Sequence, residues 1–229
     1  MARMAALCSL LVALIFASAP WARAEDQGDD RGVRIIDQPT EIPDEPTTPA
    51  AAPPVGAGLD VRKISIKTEN TAGVNLDIVP GQELQLGSRV AVRVATKKAG
   101  YLILVDIDAA GKLTQIFPNR YAMLQQTTPE TLNLVKAGHA ITIPDARNAF
   151  SGFEFIASDP KGVAMLVAIL SDRPVQMVDL PDLPPPLEAQ TTFDKLYEVA
   201  RNLRIPSQDD SGTLQDPKWS FDAKLYIIK

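Results

Sequence analysis

The run Gly100 to Asp108 (GYLILVDID) restricts this chain more than any other feature, because at strand spacing it is apolar on both faces. A strand of that kind belongs in the middle of a sheet, covered on both sides. The neighbouring sequence agrees. Arg89 to Thr96 (RVAVRVAT) puts Val90, Val92 and Val94 on one face, and Val61 to Thr68 (VRKISIKT) alternates in the same way. Ala109-Ala110-Gly111-Lys112 predicts a hairpin turn, with Gly111 free to take positive φ, and Leu113 to Phe117 returns from it until Pro118-Asn119. Further strands are predicted over Ala140 to Ile143, Gly152 to Ala157, Val163 to Ser171 and Phe221 to Ile228. Short strands divided by turns, without long helices between them, predict a mainly β fold: a two-sheet β-sandwich. One C-terminal helix is predicted, Thr192 to Leu203, with Phe193, Leu196, Tyr197, Ala200 and Leu203 on a single stripe. Thr191 and Asp194 have capping-box spacing, Pro206 ends the helix, and Pro181 to Pro186 (PDLPPP) reads as a stiff connector before it.

The start of the chain has a different character. Arg3 precedes an uncharged run, Ala5 to Ala19, and Ala22-Arg23-Ala24 presents small residues at the positions a signal peptidase reads. The run is shorter than the roughly 20 residues that span a hydrocarbon core, so a cleaved signal peptide over 1–24 is preferred to a stable membrane span. Residues 25–60 hold nine acids against Arg31 and Arg34, with Pro39, Pro43, Pro46, Pro49, Pro53 and Pro54 among them. That composition predicts a disordered Pro-rich linker. Val33-Arg34-Ile35-Ile36 is an apolar island in it, able to add to a sheet edge, although a few apolar residues in a floppy tail is the favoured reading. The expected organisation is thus 1–24 signal peptide, 25–60 linker, 61–180 β-sandwich, and 181–229 connector, helix and final strand packed on the domain.

Cys8, the one cysteine, lies in the leader, so the mature chain has no disulfide, thiol nucleophile or cysteine-ligated metal. Residues 61–229 balance 19 acids with 19 bases, which argues against a nucleic-acid partner.

From Gly100-Tyr101-Leu102-Ile103-Leu104 the motifs run through Gly111-Lys112-Leu113-Thr114-Gln115-Ile116-Phe117-Pro118-Asn119, Ala137-Gly138, Ile141-Thr142-Ile143-Pro144-Asp145 and Pro160-Lys161-Gly162. In that order they resemble the bacterial family called domain of unknown function 4384, over Leu76 to Pro174. The resemblance implies an all-β accessory module, sometimes attached to caspase-like peptidases or protein kinases and sometimes exported alone. It implies no catalytic residues.

Few residues point to chemistry by themselves. Asp106-Ile107-Asp108-Ala109-Ala110-Gly111 begins like a calcium loop, but Ala110 and Phe117 stand where ligands are needed, so a solvated hairpin end is expected. His139 is the one histidine and follows Gly138 at a turn; no G-x-S-x-G elbow accompanies it. Glu154 reads as the solvent side of an alternating strand. Tyr101, Phe117, Phe153 and Phe155 read as core. No cofactor is expected. The function expected is a non-catalytic binding and assembly module in the periplasm or outside the cell, contacting another envelope protein, such as a peptidase or kinase encoded nearby. Loops Phe117 to Gln126 and Ala146 to Gly152 are the expected contact surface, with Asn119, Arg120 and Tyr121 as binding residues. A hydrolase or a small-ligand sensor is the alternative.

Overall fold

The structure, a computed structural model, describes residues 33–36, 59–125, 131–145, 151–176, 178–203, 205–206, 214–215 and 217–229. The expected leader, the rest of the expected linker before Leu59 and most of the loop Ala146 to Gly152 lie outside these residues.

The strands are β1 (Val33–Ile36), β2 (Asn75–Val79), β3 (Glu83–Leu84), β4 (Arg89–Ala95), β5 (Gly100–Ile107), β6 (Leu113–Phe117), β7 (Leu134–Val135), β8 (Ala140–Ile143), β9 (Glu154–Ala157), β10 (Gly162–Ser171), β11 (Ile205–Pro206), β12 (Leu214–Gln215) and β13 (Trp219–Ile228). A short helix α1 spans Arg120–Gln125 and a longer one, α2, Ala189–Arg201. One sheet runs β1-β9-β4-β2. Its β8 pairs with Val92 to Ala95 of β4, while β9 pairs with Arg89 and Val90. The other runs β3-β13-β10-β5-β6, with β7 beside the start of β5; β11 and β12 form a separate pair.

The fold is therefore mainly β, two sheets with one C-terminal helix, as the alternation predicts. The pattern of β10, buried at every position, has the same cause as that of β5. Leu102 and Leu104 with Ala164, Leu166, Ala168 and Leu170 face Leu76, Val90, Val92 and Val94 of the first sheet. The alternate residues, Ile103, Val105 and Ile107 with Met165, Val167 and Ile169, face outward into a second core. There α2 covers them with Phe193, Leu196 and Ala200, and Phe193 and Tyr197 meet the Phe221 ring edge-on at 5.8 and 5.4 Å. Burying these side chains on both faces is the main source of stability.

Four expectations need correction. Val61 to Thr68 is not a strand: Val61–Lys63 forms a 3-10 turn, and among the described residues the segment after it pairs with no strand. Ile64 and Ile66 pack on the second core, and the Gln190 side chain replaces a ladder partner, accepting from Lys67 N at 2.8 Å and donating to its carbonyl at 3.2 Å. The helix starts at Ala189, because a 3-10 turn over Pro186–Glu188 leads into it. Thr191 lies inside the helix, and the cap residue Glu188 makes no side-chain cap. It ends at Arg201, before Pro206. Finally, Val33–Ile36 is a strand on β9, the reading set second to a floppy tail.

The edges at β2 and β6 each have a cover, which limits pairing with foreign strands there. On β2 the N–H of Leu76 donates to Asp222 Oδ2 at 2.8 Å, a carboxylate reaching across from β13. Burial holds the Asp222 carboxyl above its ordinary range, although the Leu76 and Ala223 amides pull it down. On β6 the Pro-rich connector acts as a strap. Gln115 donates to Gln176 O at 2.6 Å and accepts from Val178 N; Leu113 N donates to Asp182, and Leu183 N to Gly111 O at 2.8 Å. At Gly111, φ is +91° and a Cβ would lie 1.9 Å from the Leu183 carbonyl oxygen. Gly111→Ala is expected to lower stability by more than about 1 kcal/mol through backbone strain and displacement of the strap, read from the urea midpoint. Asp222→Ala, which leaves the Leu76 amide without its acceptor, should cost about 1–3 kcal/mol in the same measurement.

Candidate functional site

The hairpin between β5 and β6 carries the two alternating carboxylates, and although Ala110 at its tip is exposed, both carboxylates are buried rather than solvated as expected. Asp106 and Asp108 are each 1% exposed; Asp106 lies inside the sandwich, and beside Asp108 the strap residues Leu183 and Pro184 lie against Gly111. Asp108 Oδ1 accepts from Ala110 N at 2.8 Å and Lys112 N at 2.9 Å, so this carboxylate builds the turn itself. Its Oδ2 is buried with no hydrogen-bond partner among the described residues. Asp106 Oδ1 accepts from the Tyr226 hydroxyl at 2.7 Å inside the sandwich. Burial first, then the Asp106 and Asp108 charges, push that phenol well above its ordinary value, so it is held as a proton donor. As a cation site the loop is poor: among the described residues no three His, Cys, Asp or Glu side chains come together.

The three residues read as a binding surface lie at one end of the sandwich but differ in their exposure. Asn119 points inward, 5% exposed; it caps α1 by accepting from Ala122 N at 2.8 Å and donates to Ile116 O at 3.1 Å. Its amide therefore serves the fold. Arg120 is exposed, with its guanidinium 5.5 Å from the centre of the Tyr121 ring. Tyr121 is half-buried and packs with Met123 against the inner core. Leu124, inside the expected contact loop Phe117 to Gln126, is 78% exposed on the same short helix. Sequence alone does not single it out, because so short a helix shows no periodicity.

His139 is exposed at its turn, and its backbone N–H donates to Lys136 O at 3.4 Å. Glu154 faces outward and pairs with Arg89 at 3.1 Å. Phe117, Phe153 and Phe155 are buried as expected, and Tyr101 is half-buried. On the far side, around the turn after β2, a cleft of about 450 Å³ is lined by Arg62, Asp77, Pro80, Gly81, Gln82 and Lys224. Its charges are paired: Lys224 with Asp77 at 2.5 Å, and Glu83 with both Arg62 and Lys229 at 2.5 Å. Those two cations, Lys229 foremost, hold the Glu83 carboxyl below its usual range.

Residues 83–174 match the family model described as "Domain of unknown function (DUF4384)". Over this stretch the chain is similar to the DUF4384 family. Among curated proteins and among solved structures nothing matches. The DUF4384 motifs in this chain mark packing requirements. A Cβ on Gly100 would lie 2.6 Å from the Ser171 carbonyl oxygen, Leu102 and Phe117 are fully buried, and Asn119 is the α1 cap. The matched stretch is shorter than the folded unit, since β2 and β13 lie outside it yet complete the two sheets. Tyr226, on β13, thus supplies the donor for an aspartate inside the DUF4384 stretch.

That bond gives a pH test. Because the folded-state pKa of Tyr226 lies above the unfolded value of 10.0, its contribution to stability is intact below pH 10 and is lost as pH rises through the folded value. Tyr226→Phe removes the donor to buried Asp106 and should lower stability by roughly 1–3 kcal/mol at pH 7. The difference between wild type and variant should narrow above pH 10, as measured by chemical denaturation across pH.

Proposed function

We propose that this chain is an exported, non-catalytic contact module of the bacterial cell envelope, and that α1 at the sandwich end is its contact surface. The observation that carries the reading is Leu124, a large apolar side chain 78% exposed beside Arg120 and Tyr121. Arg and Tyr dominate the energetics of many protein interfaces, and a rigid base lowers the entropy lost on binding. Here the base is anchored: Asn119 caps the helix, Ala122 is fully buried, and Tyr121 and Met123 pack against the inner core. The partner is another envelope protein, with a peptidase or kinase encoded nearby as the first to examine. The second reading, a sensor of a small polar ligand, draws support from the cleft around Asp77 and Lys224, which offers both signs of charge.

Arg120→Ala combined with Leu124→Ser should reduce capture of the native partner by at least about tenfold, roughly 1.4 kcal/mol. Both positions are exposed and the main loss is the Arg120–Tyr121 contact, so stability should fall by no more than about 1 kcal/mol. Tyr121→Ala is less suitable because it also removes core packing. Unchanged capture by the double variant would reject the α1 surface. His139→Ala addresses the hydrolase alternative: any hydrolytic activity of the purified protein that this change abolished would favour it. Export predicts that the protein recovered from the periplasm begins at Glu25, which mass spectrometry of the intact chain reads directly.

A further inference from the structure

The edge of β9 differs from the other covered edges in where its cover comes from. Ala157 donates to Ser88 O at 2.9 Å and accepts from Gly87 N at 2.8 Å, so its backbone groups face β4. By the period of two, those of Glu154 and Ile156 face the other way, and this is where β1 lies antiparallel, with Arg34 opposite Ile156 and Ile36 opposite Glu154. Without β1, these amides and carbonyls would form an open template for a strand. The covers of β2 and β6 are side chains and a strap belonging to the sandwich itself. The cover of β9 is four residues, joined to the domain through residues 37–58. Fully extended, that stretch reaches up to about 75 Å.

We infer that β1 is an exchangeable strand, and that its second acceptor is β9 of another copy of this chain, an inference that rests on the contact-module reading. Every copy carries one donor strand and one acceptor edge of matching register, so two copies can exchange strands reciprocally and leave neither β9 edge open. The closed and exchanged forms make the same four residue pairings. Their balance is therefore set by protein concentration against the effective concentration of the tethered strand, of order millimolar. Exchange joins copies where the protein is crowded and leaves single chains where it is dilute.

The test uses the full chain with Cys8→Ser, so that no native thiol remains. One preparation carries Ile36→Cys and another Glu154→Cys; they are mixed, unfolded and refolded together, then mildly oxidised at concentrations from micromolar to millimolar. A third carries both substitutions in one chain. The inference expects a covalent heterodimer in the mixture that increases at least about tenfold over that range, and a mainly intrachain bond in the double variant when dilute. Intrachain bonding alone at every concentration, with no heterodimer in the mixture, would overturn it. So would the absence of any disulfide in the double variant, which would mean that β1 does not occupy β9. Neither failure alters partner capture by the Arg120 and Leu124 variants, so a failure of strand exchange is distinguishable from a failure of the contact-module reading.

Discussion

A sheet that is apolar on both sides must be covered on both sides, and the rest of this molecule follows from that constraint. The strands β5, β10 and β13 place alternate residues into two cores, and neither core is complete without a second layer. The sheet built around β4 provides one layer and α2 the other. This explains why α2, far along the chain, is locked by an aromatic contact to Phe221 on the central sheet. It also explains why β13 belongs to the same folding unit as the family stretch that precedes it.

Covering faces leaves edges, and the edges account for most of the polar residues in unusual places. Asp222, Gln115 and Asp182 each supply a backbone group with the partner that another strand would otherwise provide. Asn133 does the same inside, fully buried, donating to the Leu102 and Val175 carbonyls at 3.0 and 2.7 Å. Buried polar groups of this kind cost stability unless bonded, so they specify one arrangement of loops rather than adding much net energy. The α1 surface and β1 are the features that this accounting leaves facing outward.

How much was legible depended on whether the signal was local. Alternation in β4, the doubly apolar β5 and β10, the glycine turn at Gly111 and the stripe of α2 are properties of consecutive residues, and they were readable. Val61 to Thr68 has the same alternation but pairs with no strand among the described residues, and the Lys67 backbone bonds to the Gln190 side chain instead. The two-residue strands β3 and β7 and the single turn of α1 are too short to show periodicity. In the candidate surface Arg120 and Tyr121 were named with Asn119, whose amide is spent on the cap; Leu124 was not singled out because only the helix turns it outward.

By itself the sequence determined the layered β class, the single cysteine at Cys8, the acidic proline-laden stretch and the family motifs, since each depends on residue type or spacing along the chain. The tertiary structure alone decided that Asp106 and Asp108 are sealed inside, that Tyr226 from the last strand bonds to the first of them, and that Val33–Ile36 occupies β9. The reason is physical. Burial and strand pairing depend on which distant segments come together, and a carboxylate beside a glycine turn reads the same in sequence whether water or a proline strap lies over it.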